Sequence, residues 1–543
     1  YPGDPPARLA MIARRLGARL AFVEDAKLLH RLRSTPEGAG LDLRILLFDA
    51  SLVGEAATSL ADVAARADDS PEALPDWERR WRAINPAQVA TIAHTIGVDG
   101  DPLGVVVSHG NLLHSVEATV QVIPVSGADV FLSVLPMSHM FERGGTVLVG
   151  LGSGAAIAFA DRKMERWAAD MREVRPTIMA AIPLFLERIE HRIRTGVVSG
   201  PGYRRALFGW ATGLGRRRYA NHLAGRPDGR WLRVRRWIAE RTVLAEIRGA
   251  FGGRLRFFIS GGAALPERTG TFLESLGVTT LEGYGLTETA PTLTVSRPGS
   301  YQYGTVGRPL PGTELRLDPG SGEILARGPQ VTLGYLDRPQ DTARVLDAQG
   351  WLRTGDLGEF DEAHRLRITG RVKNLLVLAT GKNVAPAPIE RALMGSPYIA
   401  QAVLLGDDRD ATGILLVPDL EAVRERVGSG EIAATGDRNS GLLERPEVAA
   451  LLRQEVERLT SSFAAYERPR RFALLPRHLT AEAGELNEAG SPFRPVIMAK
   501  FPEQVAELFE RSRGDQGQAR ADSPIRTTAS AEATPEPTAT ASG

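Results

Sequence analysis

Two periodicities of apolar residues alternate along the first half of the chain. Short apolar runs of strand length are separated by stretches in which apolar residues recur at helical spacing. The predicted strands are residues 20–24, 43–48, 130–135 and 155–159, and the predicted helices are 8–16 and 164–174. Two further strands are predicted at 254–260 and 278–281, each followed by a glycine turn. This alternation is typical of α/β architecture, in which helices cover a mainly parallel sheet.

The pattern changes near residue 314, where short strands follow one another with turns between them. These strands are predicted at 314–317, 322–327, 366–369 and 375–378, and helices at 386–395 and 446–460. The order predicts a large domain over 1–370 that ends in a β-rich subdomain, followed by a small α+β domain over 371–512. Residues 513–543 are rich in Gly, Ala, Ser, Thr, Pro and charge, a composition that predicts a disordered tail.

Composition excludes several classes of function. The chain has 543 residues, 43% of them apolar, which is enough for more than one core. The net charge of +1 gives no indication of a nucleic-acid partner. The absence of cysteine rules out disulfides, thiolate metal sites and cysteine nucleophiles. Without a signal peptide pattern or a long apolar run, a cytoplasmic location is expected.

One segment departs from this charge balance. Residues 201–240 contain ten arginines against Asp228 and Glu240, with Trp210, Trp231 and Trp237 between them. A solvated helical face explains this pattern, and so does a contact with anionic lipid, at the inner membrane surface, or with acyl-CoA phosphates. Both interpretations remain open.

Four glycine-containing stretches carry the candidate chemistry. They are SGGAAL at 260–265, EGYGLTETAP at 282–291, WLRTGDLG at 351–358 and GRVKNLLVLATGKNVAP at 370–386. Each alone is explained by an ordinary turn or helix cap. Four of them in this order are far less expected by chance and indicate a nucleotide site.

These stretches resemble the adenylate-forming enzymes, and most of all the AMP-forming long-chain fatty acyl-CoA synthetases. LPMSHMFER at 135–143, GRLRFFISGGAAL at 253–265 and GKNVAP at 381–386 are similar to the long-chain branch. The resemblance extends from Tyr1 to about residue 510. The family normally has a further segment ahead of Tyr1, so an early part of the large domain is expected to be missing.

The resemblance implies a two-step reaction and a role for each matching residue. ATP activates a fatty acid to an acyl-adenylate, and the thiol of CoA then takes the acyl group. The implied nucleotide-binding residues are Gly261, Gly262, Ala263, Tyr284, Gly285, Asp356 and Arg371. The implied catalytic residues are Thr287 at the α-phosphate, Glu288 as the Mg²⁺ ligand and His139 near the acyl group, and Lys373 takes the hinge position between the domains.

The implied phosphate loop departs from the family pattern. Gly97, Gly100 and Gly104 supply the glycines of a loop ahead of an apolar strand, but Leu103 stands where the family has lysine. Ile96 replaces a serine, and Val98 and Asp99 replace two threonines. A carboxylate ~4 Å from a phosphate costs about 4 kcal/mol at an effective dielectric of ~20.

The second departure lies near the C-terminus. After Gly484-Glu485-Leu486, Ser491 occupies the position of the family's catalytic lysine, with Arg494 and Lys500 as candidate substitutes. Losing one charge-stabilising group typically costs ~10²–10³ in rate, so adenylation is expected to be impaired.

Three readings therefore remain: an acyl-CoA synthetase with impaired adenylation, a non-catalytic protein that binds AMP, acyl-AMP or acyl-CoA, and an enzyme that loads a carrier protein. The sequence indicates neither acyl chain length nor oligomeric state.

Overall fold

The computed structural model describes residues 5–24, 26–48, 58–66, 73–96, 102–161, 163–380, 382–427, 440–443, 445–486 and 490–509. Its helices are α1 (Pro6–Arg15), α2 (Ala26–Arg33), α3 (Leu60–Ala65), α4 (Ala73–Arg82), α5 (His109–Val122), α6 (Val149–Gly152), α7 (Trp167–Val174), α8 (Pro183–Val198), α9 (Gly202–Leu223), α10 (Arg230–Arg241), α11 (Val243–Ala250), α12 (Glu267–Ser275), α13 (Pro339–Val345), α14 (Pro386–Leu393), α15 (Leu420–Val427), α16 (Ser440–Leu443), α17 (Pro446–Thr460), α18 (Arg494–Lys500) and α19 (Pro502–Phe509). A π-helical segment covers Phe141–Leu148, and 3₁₀ turns cover Met164–Arg166, Thr287–Thr289 and Val372–Asn374.

The strands are β1 (Leu20–Val23), β2 (Arg44–Leu47), β3 (Thr58–Ser59), β4 (Val89–Ile96), β5 (Pro102–Ser108), β6 (Val130–Ser133), β7 (Ala156–Phe159), β8 (Ile178–Ala181), β9 (Phe257–Ser260), β10 (Thr279–Tyr284), β11 (Thr294–Val295), β12 (Arg308–Pro309), β13 (Glu314–Leu317), β14 (Glu323–Arg327), β15 (Gly334–Tyr335), β16 (Leu352–Phe360), β17 (Leu366–Arg371), β18 (Leu376–Val377), β19 (Asn383–Val384), β20 (Ile399–Leu405), β21 (Gly413–Pro418) and β22 (Arg471–Leu474).

A seven-stranded sheet organises the first half, in the order β12-β11-β10-β9-β8-β6-β7. The strands from β7 to β10 pair in parallel, while β11 and β12 complete one edge in antiparallel fashion. Every residue of β8 and β9 is buried, as expected for strands covered on both faces. The predicted α/β architecture is confirmed.

The connections place helices on opposite faces of this sheet. The step from β6 to β7 runs in one direction across the sheet, and the steps from β7 to β8, β9 and β10 run in the other. Because such crossovers are right-handed, α6 and the π-helical segment before it lie on one face, whereas α7 to α12 lie on the other. Helix α5 packs against α6 and the π-helical segment.

Three smaller sheets extend the large α/β unit. Strands β1, β2 and β3 form a parallel sheet, β15, β5 and β4 an antiparallel one, and β13, β14, β16 and β17 an antiparallel meander. The meander is the predicted β-rich part. In the hairpin of β4 and β5, Leu103 pairs with Thr95 and Gly104 with His94.

The last described part packs helices on both sides of the sheet β20-β21-β22. Leu404 on β20 packs in a cluster with Ile389 and Leu452, whereas its neighbour Val403 packs in a second cluster with Ile497. The alternation of a strand therefore supplies two apolar faces. Among the helices of the described residues, none combines the length and apolar character needed to cross a bilayer.

Candidate functional site

A cavity of about 210 Å³ lies where β9 and β10 end, on the face of the sheet that carries α5 and the π-helical segment. Ligand sites of open α/β sheets form at this edge, beyond the carboxyl ends of the strands. The residues predicted from the sequence that line it are His139, Gly261, Gly262, Tyr284, Gly285, Thr287, Glu288 and Arg371. The structure thus brings together residues separated by more than two hundred positions in the chain.

Two of the lining glycines have a steric reason to be glycine. A Cβ on Gly285 would lie 1.8 Å from the carbonyl oxygen of Pro291, and Gly262 has φ of +81°. At Gly261, a Cβ would lie 3.1 Å from the ring of Phe141. The backbone after β9 and β10 is therefore kept bare beside the cavity. Ala263 follows in the same turn but does not line the cavity.

Three side chains form one network beside the cavity: Tyr284 and Arg371 line it, and the buried Asp356, which does not line it, joins them. The Tyr284 hydroxyl donates to Asp356 Oδ2 at 2.8 Å, and Arg371 Nε lies 2.8 Å from Asp356 Oδ1. Burial raises the pKa of the Asp356 carboxyl, against the opposing effect of Arg371. Burial, followed by the nearby Asp356 carboxylate, also raises the pKa of Tyr284 well above its usual range, so the phenol keeps its proton and remains a donor.

Glu288 lies in the 3₁₀ turn at the cavity and is half-buried. Its Oε1 accepts a hydrogen bond of 2.9 Å from the Tyr335 hydroxyl, which fixes the carboxylate. In the part of the chain that the structure describes, no group of three or more His, Asp or Glu side chains converges as a metal site. A single fixed carboxylate fits Mg²⁺ in this setting, because that ion is commonly held by one or two carboxylates together with phosphate oxygens.

His139 contributes its imidazole ring to the cavity lining. Its Nδ1 accepts a hydrogen bond of 3.1 Å from the backbone N–H of Phe141, so the ring proton resides on Nε2. Glu142, three residues after His139, is fully buried, and this burial raises its pKa to about 7. Glu142 lies within LPMSHMFER but does not line the cavity.

The sequence prediction missed several residues of the site. Thr95, Thr119 and Phe141 line the cavity, and Tyr335 positions Glu288 from β15. Phe141 belongs to a motif already quoted, so that motif could have identified it. No local signal marks Thr119 or Tyr335, because each approaches the site only through sheet and helix packing.

The phosphate loop is only partly described. Gly97, Asp99 and Gly100 lie outside the described residues. The prediction that Gly104 belongs to the loop is wrong: Leu103 and Gly104 lie within β5, paired with β4. Strand β5 begins at Pro102, ahead of the apolar run, and includes it. The side chain of Leu103, in the position of the family's lysine, is therefore held by a sheet.

The candidate C-terminal residues lie away from the cavity lining. Ser491 is exposed beside the bridge of Leu486 to Pro492. Arg494 forms an ion pair with Glu390 and donates to the carbonyl oxygen of Leu404 at 2.9 Å.

The remaining predicted residues of this part of the chain are two lysines, Lys500 and Lys373. Lys500 Nζ donates to the carbonyl oxygen of Ala483 at 2.6 Å. Both side chains therefore make contacts within the C-terminal part, and the substitution of the missing lysine by Arg494 or Lys500 stays a prediction. Lys373 is exposed in the 3₁₀ turn directly after Arg371.

Comparison with known proteins identifies the family. Residues 1–336 match the model of the AMP-binding enzymes, and residues 373–513 match that of the AMP-binding enzyme C-terminal domain. A long-chain-fatty-acid–CoA ligase, FadD15 of Mycobacterium bovis, is 30% identical over 488 residues, covering 85% of this chain and 78% of that protein. A putative fatty-acid–CoA ligase, fadD11 of Mycobacterium tuberculosis, is 32% identical over 439 residues, covering 80% and 76%.

Solved structures share the fold. ATP-bound MatB from Rhodopseudomonas palustris superposes with a TM-score of 0.64 at 20% identity, covering 92% of this chain and 82% of that one. The anthranilate CoA ligase AuaEII in complex with anthranoyl-AMP gives 0.63 at 18%, covering 93% and 82%. The family match and the relatives at 30% identity or more establish that the chain belongs to the AMP-binding enzymes, with fatty-acid–CoA ligases among its relatives.

Proposed function

We propose that this protein is an AMP-forming ligase that activates a long-chain fatty acid as acyl-AMP and transfers the acyl group to CoA. One observation carries the proposal: Tyr284 and Arg371, which are joined through the buried Asp356, line the same cavity as Thr287 and Glu288. The named relatives support the fatty acid as substrate.

The cavity suits an adenosine monophosphate moiety. The bare backbone at Gly262, where a Cβ would meet no atom within 4 Å, would let the adenine approach closely, and Tyr284 would stack on the base. Asp356 would accept hydrogen bonds from the ribose hydroxyls, with Arg371 balancing its charge. Thr287 would donate to the α-phosphate.

The chemistry follows from the leaving groups. The fatty acid carboxylate attacks the α-phosphorus of ATP, the bond to the pyrophosphate oxygen breaks, and a mixed anhydride forms. The thiol of CoA then attacks the acyl carbon, and AMP leaves with the electron pair. Mg²⁺ held at Glu288 would neutralise phosphate charge when bound. His139 would present an N–H donor at the acyl end.

We further propose that adenylation is the impaired step. Leu103 and Ser491 supply no positive charge, while Arg494 pairs with Glu390 and Lys500 donates to the carbonyl oxygen of Ala483. Each missing cation would lower the rate by ~10²–10³. We divide the chain into a large domain over 1–370 and a small domain over 371–512 that rotates at Lys373 between the two steps.

A contact with a membrane surface is a further part of the proposal. Helix α10 exposes Trp231, Val234, Trp237 and Ile238 beside several arginines, which is the pattern of an interfacial helix. Such contact would bring a cytoplasmic enzyme to a substrate that dissolves poorly in water.

The test separates the two half-reactions. The protein is incubated with ATP, Mg²⁺ and a saturated fatty acid while pyrophosphate is measured, and then with synthetic acyl-AMP and CoA while thioester is measured. The proposal expects slow pyrophosphate release and faster thioester formation. Silence in both assays, with retained AMP binding, would instead support the non-catalytic alternative. Thioester formation only on a phosphopantetheine carrier protein would support the carrier-loading alternative.

A further inference from the structure

The loop of residues 134–140 leaves the end of β6 and returns to the start of the π-helical segment Phe141–Leu148. It carries His139, whose ring lines the nucleotide cavity. The π-helical segment contacts β6 and β8 of the central sheet, while its residues Phe141 and Gly145 line the cavity. Because π-helical backbone is rare and frequently found at functional sites, the side chains that hold this loop and segment together are candidates for a role in the reaction.

Glu142 is the residue of this segment that reaches back to the start of the loop. Its side chain is fully buried and does not line the cavity. Thr146, four positions later, donates from its hydroxyl to Glu142 Oε2 at 3.3 Å. The Ser133 hydroxyl and the backbone N–H groups of Val134 and Leu135 also face the carboxyl group and favour its ionised form. Glu142 therefore joins the beginning of the loop to the segment that follows the loop.

Two further contacts hold the middle and the end of the loop. Arg143 Nε donates to the carbonyl oxygen of Met137 at 3.1 Å, and the backbone N–H of Phe141 donates to His139 Nδ1 at 3.1 Å. A ring nitrogen that accepts a hydrogen bond carries no proton, so the bond from Phe141 selects the tautomer of His139 with its proton on Nε2. That bond depends on where the segment begins relative to the loop.

Stability does not explain a carboxyl group at position 142. Its Oε1 is buried and makes no hydrogen bond of ordinary geometry with the residues that the structure describes. Burial raises the pKa of this carboxyl group to about 7, because the folded protein disfavours its charge. A leucine of similar size would fill the same space without either penalty. A buried polar group that is incompletely paired needs another explanation, and its contact with the loop that carries His139 supplies one.

We propose that Glu142 is a positioning residue for His139: by joining the start of the loop to the π-helical segment, it holds the imidazole at the cavity as the Nε2–H tautomer. Glu142 acts through the loop and does not touch the substrate. The consequence for catalysis rests on the proposed ligase function, in which His139 presents an N–H donor at the acyl end. The consequence for the ring of His139 does not depend on that function.

The first experiment observes the ring directly. Protein labelled with ¹⁵N-histidine is studied by NMR at about pH 8, where a free imidazole is neutral, and the His139 resonances are identified by their loss in His139→Gln. The parent and Glu142→Gln are expected to show the Nε2–H tautomer alone, because the amide keeps an acceptor oxygen for the loop. Glu142→Leu is expected to show averaged nitrogen shifts, as two tautomers exchange. An unchanged His139 spectrum in Glu142→Leu would overturn the proposal.

A buried carboxylate on the opposite face of the sheet provides the matched control. Glu274 on α12 is 1% exposed, accepts from the Tyr303 hydroxyl at 3.1 Å and pairs with Arg218. Glu274→Gln is expected to lower the melting temperature and to leave the His139 resonances in place. Equal changes of the His139 spectrum in Glu274→Gln and Glu142→Leu would show general loosening of the fold and contradict the proposal.

Thr146→Val guards against misfolding of Glu142→Leu. It removes one hydrogen-bond partner of Glu142 at nearly constant volume, so the His139 shifts are expected to move in the same direction as in Glu142→Leu, by a smaller amount. If Glu142→Leu does not fold, an unchanged spectrum in Thr146→Val overturns the proposal.

Kinetics test the consequence for the reaction. Glu142→Leu is expected to lower kcat for thioester formation from synthetic acyl-AMP and CoA by about tenfold or more, since small misplacements of a reacting group are costly. AMP affinity should stay that of the parent, and Glu142→Gln should retain more of kcat than Glu142→Leu. A parallel loss of kcat and AMP affinity would indicate a collapsed cavity and contradict a positioning role. A parent protein that forms no thioester would overturn the ligase function, while the His139 spectra would still decide the role of Glu142.

Discussion

Asp356 and Arg371 face each other directly across the paired strands β16 and β17, and Arg371 Nε lies 2.8 Å from Asp356 Oδ1. The carboxylate is buried, whereas the Arg371 side chain is 62% exposed and lines the nucleotide cavity. The strand register thus places the buried Asp356 carboxyl group directly beside the accessible Arg371 guanidinium at one side of the site.

Removing that cation tests the nucleotide site. Arg371→Met is expected to weaken AMP binding about tenfold or more, because a hydrogen bond to a charged group contributes about 1.5–3 kcal/mol. Titration calorimetry measures the change. Arg365→Met is the matched control, since Arg365 pairs with Asp361 in the same hairpin but away from the cavity. Equal effects of the two variants would argue against the assignment.

Gly285 provides a steric test of the same wall. Gly285→Ala forces a Cβ against the Pro291 carbonyl, so the turn must shift, at a cost of about 1–3 kcal/mol in the free energy of unfolding. AMP binding should fall with it. Gly209→Ala has free space and should leave both thermal unfolding and AMP binding within error of the parent or slightly improved. An unchanged Gly285→Ala protein would show that the backbone here is adaptable.

Much of the fold could be predicted from the periodicity of apolar residues, whereas the site could be predicted less completely. The strand at 314–317 and the helix at 446–460 were predicted at their observed bounds, because alternation defines the strand locally and a proline in the first turn marks the start of the helix. The individual helices between β8 and β9 were not predicted, since their exposed apolar residues blur the helical period. Tyr335 could not be predicted, because its contact with Glu288 depends on pairing β15 with the distant β5.

Restoring the missing cations tests the proposed impairment. Leu103→Lys combined with Ser491→Lys is expected to raise the rate of pyrophosphate release at least tenfold, because each lysine supplies charge where phosphate charge develops. The rate of thioester formation from synthetic acyl-AMP should change much less. A folded double variant with no gain in pyrophosphate release would place the defect elsewhere.

Arg494 is expected to act on stability and not on chemistry. Its ion pair with Glu390 is almost fully buried, so Arg494→Ala leaves an uncompensated carboxylate at a cost of about 3–5 kcal/mol. Denaturant unfolding of the last sheet measures this loss. Arg458→Ala, which breaks a more exposed pair with Glu455, should cost ~1 kcal/mol or less. A loss of activity in Arg494→Ala at unchanged stability would restore it as a catalytic candidate.

Two buried glutamates predict the pH dependence of stability. Burial raises the pKa of Glu142 to about 7 and that of Glu282 to about 8. Between pH 5 and 8 the folded state therefore binds protons that the unfolded state has lost, so stability falls as pH rises. Between pH 5 and 8, each glutamate thus lowers the free energy of unfolding by on the order of 3 kcal/mol, at about 1.4 kcal/mol per pKa unit.

Glutamine variants check this slope. Glu142→Gln and Glu282→Gln should each flatten the fall in melting temperature between pH 5 and 8, because the amide cannot ionise. Glu359→Gln, at an exposed position of β16, should leave the slope unchanged. A parent protein whose stability rises over this window would contradict both assignments.

Arg371 is also the last residue of β17, and the turn that contains Lys373 begins immediately after it. A single guanidinium thus belongs to the wall of the nucleotide cavity and to the start of the segment leading into the following sheet. Any reorientation of that segment displaces the cation, and any nucleotide that holds the cation restrains the segment. For the rotation proposed at Lys373, thermodynamic reciprocity then requires that occupancy of the cavity and the orientation of the C-terminal part bias each other by the same coupling free energy.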